Sequence, residues 1–97
     1  MLENLQQADF QAHLNENFRI QLHDGELDLQ LIEVSAVGQT SRNPARTPFS
    51  LVFRGPADLL LHQGIYPLTH PTLGSLPLFL VPIGPDAEGL CYEVVFN

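Results

Sequence analysis

The sequence predicts a mainly β fold: a small six-stranded, mostly antiparallel barrel or strongly bent sheet with one short N-terminal helix. Three observations carry that expectation. Turn-forming clusters recur along the chain, at His23-Asp24-Gly25, Arg42-Asn43-Pro44, Arg54-Gly55-Pro56, Pro71 to Gly74 and Gly84-Pro85-Asp86. The runs between them are short, rich in Val, Ile, Leu, Phe and Thr, and alternate with the period of two that a half-buried strand requires. Finally, 97 residues at 44% hydrophobic content suffice for one core and no more, so residues 1–97 are expected to form a single domain.

At the N-terminus, Leu2, Leu5, Ala8 and Ala12 recur at helical spacing. Asn4 with Gln7 offers a cap and Asn15 a left-handed stop, which predicts a helix over about residues 4–13. The six strands are expected over Phe18 to His23, Glu26 to Val37, Pro48 to Arg54, Gly64 to Thr69, Ser75 to Ile83 and Leu90 to Phe96. Asp24-Gly25 is a two-residue hairpin signal. Along the second strand the inward set runs Leu27, Leu29 and Leu31, then slips to Val34 and Ala36. A bulge near Ile32 and Glu33 accounts for the slip and lets one long strand turn a barrel corner. The polar stretch from Gly38 to Thr47, with two of the four arginines, reads as a loop.

The segment GIYPLTHPTLGSLPLFLVPIGP, residues 64–85, fixes its own register. A five-residue hairpin loop from His70 to Gly74 sets Thr69 opposite Ser75, Leu68 opposite Leu76, Pro67 opposite Pro77 and Ile65 opposite Phe79. Two facing prolines require a non-hydrogen-bonded site, where each missing N–H would have pointed away from its partner, so outward pairing there is expected to be weak or open. Alternation places Tyr66, Leu68, Leu76, Leu78 and Leu80 on one face and Ile65, Pro67, Pro77, Phe79, Val81 and Ile83 on the other. Both faces are apolar. One fills the core; the other must be covered by the helix, by the 38–47 loop or by another chain, because monomers seldom leave a large contiguous apolar patch open.

Charge narrows the partners. Eleven acids against four arginines, with no lysine, give a formal net charge of -7, which is repelled by phosphate backbones and anionic lipid. Neither nucleic acid nor membrane is an expected partner. The first residues lack a signal-peptide pattern and no apolar run approaches a membrane span, so a cytoplasmic location is expected. Cys91 is the single cysteine and cannot form an intramolecular disulfide.

Candidate chemistry is sparse. His13, His23, His62 and His70 fall at element ends or turns without metal-ligand spacing, and are expected to be solvated or locally hydrogen-bonded, with no catalytic or metal role. Glu26 and Asp28 share a strand face and read as its solvated side, as do Asp86 and Glu88 at an acidic turn. Ser50 reads as the outward residue of its strand and Cys91 as a small half-buried one, neither framed as a nucleophile. Arg54, at a strand end among many acids, is expected to form a salt bridge. No cofactor-binding glycine pattern is present.

The blocks PFSLVFRGP (48–56), QGIYPLTHPTLGSLPLFLVPIGPD (63–86) and YEVVFN (92–97), preceded by ADFQAHLNENFRI (8–20), resemble an uncharacterised bacterial family of small all-β domains. That family has no assigned activity, and its genes are often found near those of phage-tail-like and tail-collar proteins. The resemblance implies an accessory or structural role in a tail-like assembly.

The leading expectation is thus a non-enzymatic structural or protein-interaction module that associates with itself or a larger assembly protein. Its interaction surface is Ile65, Pro67, Pro77, Phe79, Val81 and Ile83. The rival is a small-ligand-binding barrel or enzyme using the barrel mouth through Tyr66, His70 and Arg54. A six-stranded barrel this short is expected to fill its interior with its own side chains, which disfavours the rival.

Overall fold

A computed structural model describes residues 4–37 and 47–97. Six strands follow a short helix: α1 (Gln7–Gln11), β1 (Asn17–Leu22), β2 (Gly25–Ala36), β3 (Phe49–Gly55), β4 (Gly64–His70), β5 (Gly74–Pro85) and β6 (Leu90–Phe96). They close a barrel in the order β1-β2-β3-β6-β5-β4, antiparallel at every ladder. The mainly β barrel expected from the turn spacing is the fold observed.

Two long strands let so short a chain close. β2 pairs with β1 over Gly25 to Gln30 and with β3 from Gln30 onward, and its register shifts between Leu31 and Glu33, where the slip in inward leucines predicts a bulge. β5 divides in the same way, between β4 over Gly74 to Leu80 and β6 from Val81 onward. A second shift between Pro82 and Gly84 makes Ile83 an extra residue that alternation alone does not reveal.

The β4–β5 hairpin carries every pairing the His70–Gly74 turn implies, with Pro67 opposite Pro77 and Ile65 opposite Phe79. Its loop is shorter than expected. His70 pairs with Gly74, leaving three loop residues, and Gly74 takes the left-handed φ of 79° that such a loop needs. At the β1–β2 hairpin Leu22 pairs with Gly25, so the two-residue loop is His23-Asp24, one residue earlier than the Asp24-Gly25 signal suggests.

The helix also departs from expectation. It starts at Gln7 rather than Asn4, because the Asp9 carboxylate accepts from the Gln6 N–H at 2.8 Å and fixes the first turn there. The chain leaves through a turn ending at Asn15, whose φ of 73° is the left-handed stop its residue type allows. The Asn15 N–H donates to the Leu31 carbonyl at 2.6 Å and Leu31 N–H to the Glu16 carbonyl at 3.0 Å. These bonds tie the turn to β2 at its bulge.

Phe10, fully buried, closes one end of the barrel. Its ring lies 5.3 Å from Phe96 and 5.9 Å from Phe49, which stack on each other at 4.6 Å. The opposite end is closed by the segment before β4: Leu61 N–H donates to the Tyr92 hydroxyl at 3.0 Å, and that hydroxyl donates to the Leu59 carbonyl. Between the ends, inward leucines and aromatics of all six strands fill the interior. Val34 is only partly buried and Ala36 is exposed, so the inward set of β2 fades beyond the bulge instead of continuing. The expected 38–47 loop lies, apart from Thr47, outside the described residues.

Candidate functional site

Among the described residues, no segment covers the outer face of the β4–β5 hairpin. Ile65 is 69% exposed, Phe79 47% and Ile83 51%; Pro67 and Pro77 are exposed too, while Val81 is half-buried. The helix does not cover them, since Phe10 is in the barrel end and Leu5 packs against the same core. Beside this face β5 and β6 part company, and a cleft of about 390 Å³ lies between them, lined by Ile65, Pro77, Phe79, Val95 and the C-terminal residues of β6. Val95, 50% exposed, extends the patch and is absent from the expected surface. Its signal was present: inward Tyr92, Val94 and Phe96 leave an apolar Val95 outward. Ile83, displaced by the second bulge, does not line the cleft.

A second cluster joins residues that sequence spacing alone does not bring together. His13, Glu16 and His70 come from the α1–β1 turn and the end of β4, and their ligand atoms lie within 4.8 Å of one another. Sequence spacing hides this because His70 is 54 residues from Glu16. His70 is 4% exposed, its ring 4.7 Å from Phe18 and 4.3 Å from His13. Its hydrogen bonds settle its chemistry. Nδ1 accepts from the N–H groups of Thr72 and Leu73, so the ring proton sits on Nε2, which donates to Glu16 Oε1 at 2.7 Å. A metal-bound imidazole has the reverse arrangement, with the other nitrogen donating. His13 Nδ1 donates to the same oxygen at 2.9 Å, and these two bonds, His70 first, hold the Glu16 carboxyl below its ordinary pKa. The cluster is a clasp between the helix turn and β4. Elemental analysis of protein purified without an affinity tag is expected to find no stoichiometric metal; finding it would overturn the tautomer assignment.

The remaining polar candidates are engaged locally. Arg54 bonds Asp86 at 2.5 and 2.9 Å and approaches Glu88 at 3.3 Å, the salt bridge its position predicts. Asp86 also accepts from the N–H groups of Glu88 and Gly89, shaping the turn into β6. Gly89 is required there, because a Cβ would collide with the Gly55 carbonyl oxygen. Arg19 bridges Glu26 and Asp28 at 3.3 and 3.0 Å, so the paired carboxylates share a cation on a solvated face. Cys91 is more buried than expected, at 7% exposure, and burial pushes its thiol pKa up, opposite to what a nucleophile needs. Ser50 is buried as well, not solvent-facing, between Ser35 of β2 and Val95 of β6 in the register.

The Arg54 hydrogen bonds, helped by the Glu88 N–H, hold the Asp86 carboxyl far below the carboxylate range. A depressed folded pKa gives stability that is complete above the unfolded value, near 4, and is lost as pH falls through the folded one. The urea midpoints of wild type and Asp86→Asn are therefore expected to differ at pH 6 and to converge as pH drops below about 4. A gap that widens with acid would contradict this sign.

The three groups of the rival reading do not share a task. Tyr66 donates its hydroxyl to the His62 carbonyl at 2.7 Å, His70 is held by Glu16, and Arg54 by Asp86 and Glu88. No helix of the described residues is long and apolar enough to cross a membrane. A family model described as a domain of unknown function, DUF6916, matches residues 5–96. Neither a curated protein nor a solved structure matches the chain. With nearly its whole length matched, the chain belongs to the DUF6916 family.

Proposed function

We propose that this member of the DUF6916 family is a non-enzymatic protein-interaction module that associates through the open face of the β4–β5 hairpin and the adjoining Val95. The observation that carries this is the exposed, uncharged cluster of Ile65, Pro77, Phe79 and Val95 around a cleft, on a barrel whose interior is filled by its own side chains. Monomers seldom leave contiguous apolar surface of that kind open, and each large side chain removed from water contributes roughly 1.5–3 kcal/mol.

The partner is a protein, either a second copy or a component of a larger assembly. A formal charge of -7 disfavours nucleic acid and anionic lipid. An accessory place in a bacterial phage-tail-like assembly follows only from the resemblance of the strand blocks, and the cytoplasm is kept as the proposed location on the separate ground given by the sequence. The test is the molar mass of wild type and Phe79→Asp by light scattering, alone and with candidate assembly proteins. Loss of association in the variant supports the reading; association unchanged by Phe79→Asp would overturn it.

A further inference from the structure

The backbone beside the cleft says what kind of partner fits. β5 is paired with β4 through Leu80, but its ladder with β6 begins only at Val81 opposite Glu93. Continued in that antiparallel register, the next pair of the same type would be Phe79 with Val95, and the ladder stops short of it. Pro67 and Pro77 face each other without an N–H between them, so theirs is a non-hydrogen-bonded pair. Because pair types alternate along an antiparallel ladder, Pro77 and Phe79 direct their backbone groups away from β4 and into the gap. Val81, of the same parity, makes its bonds with Glu93, so Val95 faces the gap from the other side. Phe79 and Val95 each turn an N–H and a carbonyl toward a cleft of about 390 Å³.

We infer that this cleft accepts an extended β-strand from another protein, which enters between β5 and β6 and continues both edges. The inference rests on the interaction-module reading and names its partner class. An occupant of a gap between two strand edges must offer backbone hydrogen bonds on both of its sides, which a single extended segment does and a strand already flanked inside a folded barrel does not. A second copy would also bring like charge, -7 against -7. The side chains at the cleft are apolar, which selects apolar residues at every second position of the guest. Glu93, half-buried where the ladder closes, has no ion-pair partner among the described residues and selects a Lys or Arg at that end of the guest. Pro77 removes one donor from the β5 edge, which suppresses indiscriminate edge pairing and leaves Phe79 to fix the register.

Selection of random peptides of about seven residues on the immobilised chain tests this directly. The expected result is enrichment of sequences that alternate apolar residues and carry one basic end. A selected peptide, made synthetically, should slow amide exchange at Phe79 and Val95. Methylating the peptide nitrogens that face one edge should weaken its binding about tenfold or more, as expected for two lost hydrogen bonds. Glu93→Gln should weaken the basic peptide several-fold while leaving its glutamine-substituted form unchanged. Enrichment of nothing, or binding that survives N-methylation, overturns the strand-acceptor inference. Should either occur while wild type still associates in a manner lost in Phe79→Asp, the interaction module stands and its partner is a folded surface. Should neither peptide nor Phe79-dependent association be found, both readings fall.

Discussion

Phe10→Ala is expected to lower the free energy of unfolding by about 3–5 kcal/mol, measured as a fall in urea midpoint at unchanged slope. A five-residue helix has too few internal hydrogen bonds to persist alone, so its place depends on what it packs against. That anchor is Phe10, fully buried against the stacked Phe49 and Phe96. Removing the ring leaves a cavity at the barrel end, and the Phe49 and Phe96 rings, on the first pair of the β3–β6 ladder, cannot close it without disturbing that ladder. Against a total stability on the order of 5–15 kcal/mol, such a loss brings the domain near its threshold. The Asn15 and Glu16 bonds to Leu31 remain and should hold the turn, so the variant is expected to unfold in one transition. A loss below about 1 kcal/mol would mean that Phe10 is not part of the core.

What could be read from the residues was whatever local chemistry decides. The turn residues from His70 to Gly74 set the β4–β5 register and so bring Pro67 and Pro77 face to face, and a slip in the spacing of leucines located the β2 bulge. The bulge at Ile83 left no such trace, because Val81, Pro82 and Ile83 are apolar in succession and alternation has nothing to report. Asn4 looked like a cap, yet Asp9 reaching back to Gln6 decided where the helix begins, a competition between nearby capping groups that residue type alone does not resolve. The site divides along the same line. The open apolar face was legible because alternation assigns every side chain of β4 and early β5. The clasp of His13, Glu16 and His70 was not, because the closure of β4 against β1 brings His70 to a turn 54 residues away. Ser50 and Cys91 are more buried than alternation predicts for a related reason: burial on the outer side of a strand is set by what packs over it, as Arg54 and Asp86 do beside Cys91.

Adjacent residues of β5 should respond oppositely to the same charge. Leu78→Asp is expected to leave no folded monomer at 25 °C. Leu78 is 1% exposed in the barrel core, so the change removes packing worth about 2–5 kcal/mol and also sets a carboxylate among leucines and aromatics with no hydrogen-bond partner, a further several kcal/mol. The sum meets or exceeds the whole stability of a domain this size. Phe79→Asp, one residue on, keeps the fold. Its ring is already 47% exposed on the outer face, the new carboxylate stays hydrated, and the melting temperature should move by only a few degrees, consistent with a change below about 1 kcal/mol. Association through that face should vanish, because at the centre of an apolar interface the same carboxylate would be stripped of water without a partner. Melting temperature and molar mass, measured together on both variants, separate the two effects. If Phe79→Asp melts as low as Leu78→Asp, the face is covered from within the chain and the interaction surface loses its basis; if Leu78→Asp melts like wild type, the inward assignment of β5 is wrong.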